Sequence, residues 1–394
     1  MQIQSRKKSM VAATIFVLAS LYVAPVVAQH GDQAWKRSEH LKHGINASLW
    51  FAQSPENYSI ERLQTFTTAD DIALMEKLGF DHVRLSVDPV PLSSSSTTGM
   101  SPFLAELDRV VSLMLTHHLA VIIDIHPESP FKANLRAGDE PVVRFALLWV
   151  GLAKHFASKD TEHIFFEIMN EPEQTDLYRW VGIEARVAEA IRSAAPQNTI
   201  IATGAHWSGL ADLLQTQTLA LDNVIYTFHD YEPFAFTHQG ATWTDLRVQP
   251  LRDIPYPSSP DAVEKNLSQA YSIDGQLFVE DYGLARWNAE RVERTIEFAA
   301  KWSALHRVPV YCGEFGVLRD YVNPAMRAAW LHDMTTSLSK NHIGWAMWDY
   351  QANFGVVRKE GGIAVPDLLI VKALGLNAIT TSDINQKGLS QKSQ

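Results

Sequence analysis

FFEIMNEP, residues 165–172, is the stretch on which the reading of the fold turns. It is a run of β-favouring apolar residues that ends abruptly in a glutamate, Glu171. PVYCGEFG, residues 309–316, repeats the plan 143 positions later and delivers Glu314. A carboxylate at the end of a buried strand is costly to place unless it has a partner or a task. In a (β/α)8 barrel, the C-terminal ends of the strands are where side chains for chemistry are gathered. Two glutamates so placed match what cleavage of a glycosidic bond requires, one as acid/base and one as nucleophile.

Outward from these two runs, short apolar β-rich segments alternate with longer helical patterns, which indicates βαβ units and a parallel sheet. The strand candidates are His43–Leu49, His82–Val87, Ala120–Ile125, Ile164–Met169, Thr199–Thr203, Val224–Phe228, Pro309–Cys312 and Gly344–Trp348. Eight is the barrel number, so the expected fold class is α/β, a single-domain (β/α)8 TIM barrel. Leu104, Leu107, Val111, Met114 and Leu115 follow helical spacing. A second helix starts near Asp139, with Pro141 in its first turn, and runs to about Phe156. Two connections are unusually long: Asp88–Pro102, rich in serine and proline, and Asp230 to about Asn288 after the sixth strand. Both follow a strand, so both are expected at the catalytic face.

Residues 1–28 read as a secretory leader. Arg6, Lys7 and Lys8 are followed by an apolar core, Met10–Val23, and a small-residue cleavage site ending at Ala28. An uncleaved anchor is the competing reading; Pro25 and the cleavage-like tripeptide favour removal, and hence a secreted or periplasmic protein. Cleavage takes the net charge from −10 to −13. Such an acidic chain lacks the electrostatic footprint of a nucleic-acid or anionic-membrane partner. One cysteine, Cys312, permits no internal disulfide. The catalytic domain is expected to span residues 29–376, with a polar, disordered tail at 377–394.

The strand ends deliver a polar and aromatic set: Arg84, His126, Asn170 with Glu171, His229 with Tyr231, Glu314 and Trp348. The strings HVRLSV, DIHPE, IMNEPE, FHDYEPF, CGEFG and WAMWDY occur in order between about His43 and Leu376. Together they resemble glycoside hydrolase family 5, cellulase-type barrels that retain anomeric configuration. The resemblance implies Glu171 as acid/base and Glu314 as nucleophile, with no cofactor and no metal. It further implies that Arg84 pairs with Glu314, Tyr231 donates to it, and His229 modulates the proton on Glu171. Asn170 would bond a sugar 2-hydroxyl, His126 other hydroxyls, and Trp348 would stack on the sugar. The implied partner is a β-linked polysaccharide or oligosaccharide, foremost a β-1,4-glucan cut internally. β-Mannan, β-1,3-glucan and a bacterial exopolysaccharide are the alternatives. Ser86 stands where many members have proline, and only part of the family carries a long insertion after the sixth strand.

Plainer readings stand beside these. Arg84 serves equally as a structural ion pair, His126 and His229 as core histidines, Trp348 as packing, and Glu167 as a structural acid. Trp50, Trp207 and Trp243 follow strands 1, 5 and 6 as sugar subsites or as packing. Two further alternatives are a zinc site built from His126, His206 and His229, and a catalytically inactive sugar-binding barrel.

Overall fold

The computed structural model describes residues 32–54, 57–93 and 101–378. The expected leader, residues 94–100 of the serine-rich connection, and the expected tail from residue 379 lie outside the described residues.

Eight parallel strands close in sequence order into one barrel. They are β1 (His43–Phe51), β2 (His82–Val87), β3 (Ala120–Ile125), β4 (Ile164–Glu167), β5 (Thr199–Thr203), β6 (Val224–His229), β7 (Val310–Glu314) and β8 (Gly344–Met347). Pairing of β1 with β8 closes the ring. With helices between the strands, this is the expected (β/α)8 barrel. The differences lie at strand ends. β4 stops at Glu167 rather than Met169, because the chain bends at Asn170 into a turn where Glu171 and Glu173 have φ of 41° and 55°. β8 stops one residue before Trp348, whereas β6 and β7 run on to His229 and Glu314.

Successive strand residues face opposite ways. One set of buried residues, Ile122, Phe165, Ile201, Ile225, Tyr311 and Ala346, packs inside the barrel, where Ala34 and Leu41 join them. The other set, including Val83, Leu85, Val121, Ile123 and Ile200, joins the larger core beneath the helices. One inward step further towards the strand C-termini come Arg84, Asp124, Glu167 and His229, so the apolar filling gives way to a buried charged layer. Strand alternation alone would send Glu314 outward, because Tyr311 faces in. The register resolves this: Phe228 pairs with Cys312, but the next residue, His229, pairs with Glu314. Gly313 is the extra residue of a β-bulge that re-aims the glutamate. A Cβ on Gly313 would lie 2.6 Å from Thr227 Oγ1.

Both helices foreseen from spacing are present, at Pro102–Thr116 and Asp139–Phe156. The connection after β6 is more than a loop. It contains short turns at Phe234–Thr237, Pro260–Val263 and Glu264–Gln269 and a helix at Ile273–Ala285. Its own apolar residues, among them Val248, Leu251, Ile254 and Tyr282, join the main core. Asn377, expected to begin the tail, instead docks on the end of the helix Ala69–Leu78. Its backbone N–H donates to Leu78 O at 2.9 Å, which satisfies a helix-terminal carbonyl.

Candidate active site

Arg84 is the centre of the charged layer and is wholly buried. Nε and Nη2 donate to the two oxygens of Glu167, both at 2.7 Å. Nη1 donates to Glu314 Oε1 at 2.7 Å and to Asn46 Oδ1 at 2.9 Å. Nη2 also reaches Asn170 Oδ1 at 3.0 Å and Asp124 Oδ2 at 3.1 Å. Three carboxylates around one guanidinium satisfy its fork of donors, the arrangement that makes a buried arginine tolerable. Burial opposes its charge, but Asp124, Glu167 and Glu314 more than offset this and hold the guanidinium well above its ordinary range. Glu167 thus takes the structural role.

Glu314 accepts from Arg84 on one oxygen and from the Tyr231 hydroxyl on the other, at 2.9 Å. Both neighbours are donors, which suits an acceptor-only carboxylate. Glu171 has a different setting. Its Oε1 lies 3.0 Å from His229 Nδ1, and the same nitrogen is 3.6 Å from Glu314 Oε2. Potential ligand atoms of Glu171, His229 and Glu314 all lie within 4.8 Å of one another. Burial raises the Glu171 carboxyl above its ordinary value, with Lys132, His126 and Arg84 opposing and Glu173 reinforcing the rise. Burial likewise pushes the His229 imidazole down to about 4, against the pull of Glu314, so the ring is neutral near pH 7. Two carboxylates a few ångströms apart therefore have contrasting surroundings, as acid and nucleophile require.

His126 and Asn170 form a tie beside them. His126 Nδ1 donates to Asp124 Oδ2 at 2.8 Å, and Nε2 accepts from Asn170 Nδ2 at 3.1 Å, with the tautomer assigned from this network. Burial pushes His126 down to about 3. Both of its nitrogens are engaged, so His126 orients Asn170 and Arg84's partners; the expected bond to sugar hydroxyls would require it to release Asn170. One amide hydrogen of Asn170 remains for a ligand. Trp348 is half-buried and stacks on His126, with ring centroids 5.6 Å apart.

The three candidate subsite tryptophans part company. Trp50 is fully buried, with Nε1 donating to Leu63 O at 2.6 Å, and so offers no face to a sugar. Its position on β1 beneath the helices makes it core. Trp207 and Trp243 are each 58% exposed. Phe236, on the insertion after β6, is buried against Tyr256. Among the described residues, Glu171, His229 and Glu314 are the only trio of metal-capable side chains brought so close. His126 and His206 do not join it; His206 bonds Asp212 at 2.7 Å. Among the described residues no helix is long and apolar enough to cross a membrane.

The cellulase model, glycosyl hydrolase family 5, matches residues 44–354, the span that holds every residue of this site. The chain belongs to that family. Endoglucanase C of Acetivibrio thermocellus is 28% identical over 318 residues, covering 79% of this chain and 91% of its own length. Cellodextrinase A of Ruminococcus flavefaciens is 31% identical over 320 residues, covering 78% and 84%. Among solved structures, Thermotoga maritima Cel5A in complex with cellobiose superimposes with a TM-score of 0.69 at 25% identity, covering 86% of this chain and 99% of that one. This family 5 chain is a glycosyl hydrolase.

Asn46, Asp124, Lys132 and Glu173 also stand in this site, beyond the residues expected from the family 5 strings. Asp124 was within reach, since it precedes His126 by two on the same strand and therefore shares its face. Asn46 sits on β1 outside the family strings, and only the folded barrel brings it to Arg84 and to Gly313 O at 2.9 Å.

Proposed function

We propose that this protein is an exported, retaining β-glucan hydrolase, endo-β-1,4-glucanase-like, acting by double displacement. Glu314 attacks the anomeric carbon while Glu171 gives its proton to the departing glycosidic oxygen, leaving a covalent glycosyl-enzyme. Glu171, now ionised, takes a proton from water; that water attacks the same carbon and releases Glu314. The observation that carries the reading is that one oxygen of Glu171 and one of Glu314 lie within 4.8 Å, on the scale of the roughly 5–5.5 Å carboxyl separation of retaining enzymes rather than the roughly 6.5–9.5 Å that an inverting water needs. The contrast between Glu314, clasped by donors from Arg84 and Tyr231, and Glu171, whose contact is the neutral His229, supports the division of roles. Arg84 and Tyr231 hold the nucleophile, His229 contacts the acid, Asn170 keeps a hydrogen for the 2-hydroxyl, and Trp348 offers a platform for the sugar.

The names of the relatives, endoglucanases and a cellodextrinase, support β-1,4-glucan as substrate. The cellodextrinase is the relative of higher identity, and it favours short soluble oligosaccharides as a second reading. Export rests on the leader pattern at residues 1–28. Incubation with a polysaccharide panel that includes cellulose derivatives, mannan, β-1,3-glucan and cellodextrins, with analysis of products over time, tests both. Internal cuts in β-1,4-glucan are expected. Release of cellobiose alone from chain ends, or cleavage of mannan only, would overturn the first reading.

A further inference from the structure

The turn that carries Glu171 is held from two sides, by the segment after β5 and by the helix Ser129–Ala137. Glu171 and Glu173 both have positive φ, left-handed backbone that side-chain-bearing residues adopt when their surroundings impose it. From the β5 side, the N–H of Glu173 donates to His206 O at 2.6 Å and that of Gln174 to Ala205 O at 2.8 Å. From the β3 side, the helix Ser129–Ala137 contributes three side chains. Ser129 Oγ donates to Glu173 Oε1 at 2.9 Å, Lys132 Nζ donates to the same oxygen at 3.1 Å, and Arg136 donates to Glu173 O at 2.6 Å. Lys132 is only 4% exposed, and its ammonium lies 5.9 Å from the centre of the Trp207 ring. Lysine is almost never buried without a partner. Glu173 is that partner at contact distance, and Glu171 and Asp124 also lie within the field of the ammonium.

We propose that Lys132 is a positioning residue for Glu171: through Glu173 it holds the turn on which Glu171 stands, and its ammonium is the countercharge that Glu171 meets when it acts as base. The inference rests on the acid/base reading of Glu171. That residue must hold a proton in the first step and accept one in the second. Burial favours the protonated form. Lys132 opposes it more than any other charge, ahead of Arg84, while Glu173 favours it. The other groups facing Glu171 are neutral His229, Glu314 and Tyr231. Lys132 and Glu173 therefore act on Glu171 with opposite sign, although they bond to each other.

This opposition gives the test. The rate constant kcat/KM is followed against pH with an aryl β-glycoside whose leaving group needs protonation, so that its basic limb reports Glu171. In Lys132→Met the limb should move to higher pH by about half to one unit, and in Glu173→Gln it should move to lower pH. Lys132→Arg should return the limb to its wild-type place. A merely structural clamp would lower the rate in both variants without moving the limb. Unmoved limbs, or limbs that move in the same direction, would overturn the inference while leaving the role of Glu171 intact. Glu171→Gln is the control for that role and should lose the limb altogether. If it keeps the limb, the acid/base reading falls, and this inference with it.

Discussion

A carboxylate oxygen of Glu171 and one of Glu314 stand within 4.8 Å of each other, and His229 Nδ1 lies 3.0 Å from the first residue and 3.6 Å from the second. The pair is therefore bridged by a neutral imidazole rather than by a cation, while Arg84 touches only Glu314 of the two. On the proposed double displacement, this asymmetry would let Glu171 keep a proton while Glu314 acts as nucleophile.

Retention of configuration is the outcome expected from this spacing. Proton NMR of the first product formed should show the β-anomer before mutarotation; an initial α-anomer would contradict the double displacement. Glu314→Ala should lose about 10⁴-fold or more on every substrate, because no glycosyl-enzyme can form. Glu171→Ala should depend on the leaving group. A dinitrophenyl glycoside needs no protonation, so the intermediate should form and then stall. Added azide should restore turnover and yield a β-glycosyl azide. Azide rescue of Glu314→Ala to a β-azide, with Glu171→Ala dead on activated substrates, would reverse the assignment.

Arg84 should matter to folding as well as to activity. Arg84→Met leaves Asp124, Glu167 and Glu314 without the cation that all three share, and should cost about 3–5 kcal/mol in urea unfolding. Arg84→Lys keeps the charge but cannot hold Glu167 through two nitrogens while reaching Glu314, so it should fall between wild type and Arg84→Met. A wild-type unfolding midpoint for Arg84→Met would mean that the three acids find other partners.

Trp50 and Trp243 should separate cleanly. Trp50→Ala is expected to lose about 3–5 kcal/mol of stability, since it empties a fully buried indole site. Trp243→Ala should leave the unfolding midpoint unchanged and weaken long glucan chains more than short aryl glycosides, because it removes remote binding energy. Equal losses on long and short substrates would take Trp243 out of the cleft.

Glu184 gives the stability a pH dependence that has nothing to do with catalysis. The residue is buried and accepts one hydrogen bond, from Thr203 N–H at 2.7 Å, and burial pushes its carboxyl up to about 8. The folded state thus keeps a proton that the unfolded chain releases near 4.5, so this contribution to stability declines as pH rises from about 4.5 to about 8. Glu184→Gln removes the titration and can still accept from Thr203. It should be more stable than wild type at pH 8, by on the order of a few kcal/mol and with a higher melting temperature, and close to wild type at pH 4. Parallel melting curves at both pH values would rule out the effect.

Much of the molecule follows from local sequence alone. Apolar runs bounded by polar residues are enough to mark all eight strands, because a buried strand must be apolar over its own few residues whatever its neighbours are. Ser101 before Pro102, and Pro141 two residues after Asp139, mark helix starts by the same local logic. The two glutamates stand out because a charge at the end of such a run calls for an explanation. Other features were decided only when the barrel closed. Strand alternation misdirects Glu314, and only the register of β7 against β6 shows the bulge at Gly313 that turns it inward. Trp50, Trp207 and Trp243 look alike in sequence, yet one is core and two are exposed, because burial depends on which helix lands above each strand. The union of Arg84 with Asn46, Asp124, Glu167 and Glu314, and the clamp of Lys132 on Glu173, join residues from separate strands and helices. Distances of that kind are set by ring closure and register, which no local pattern records.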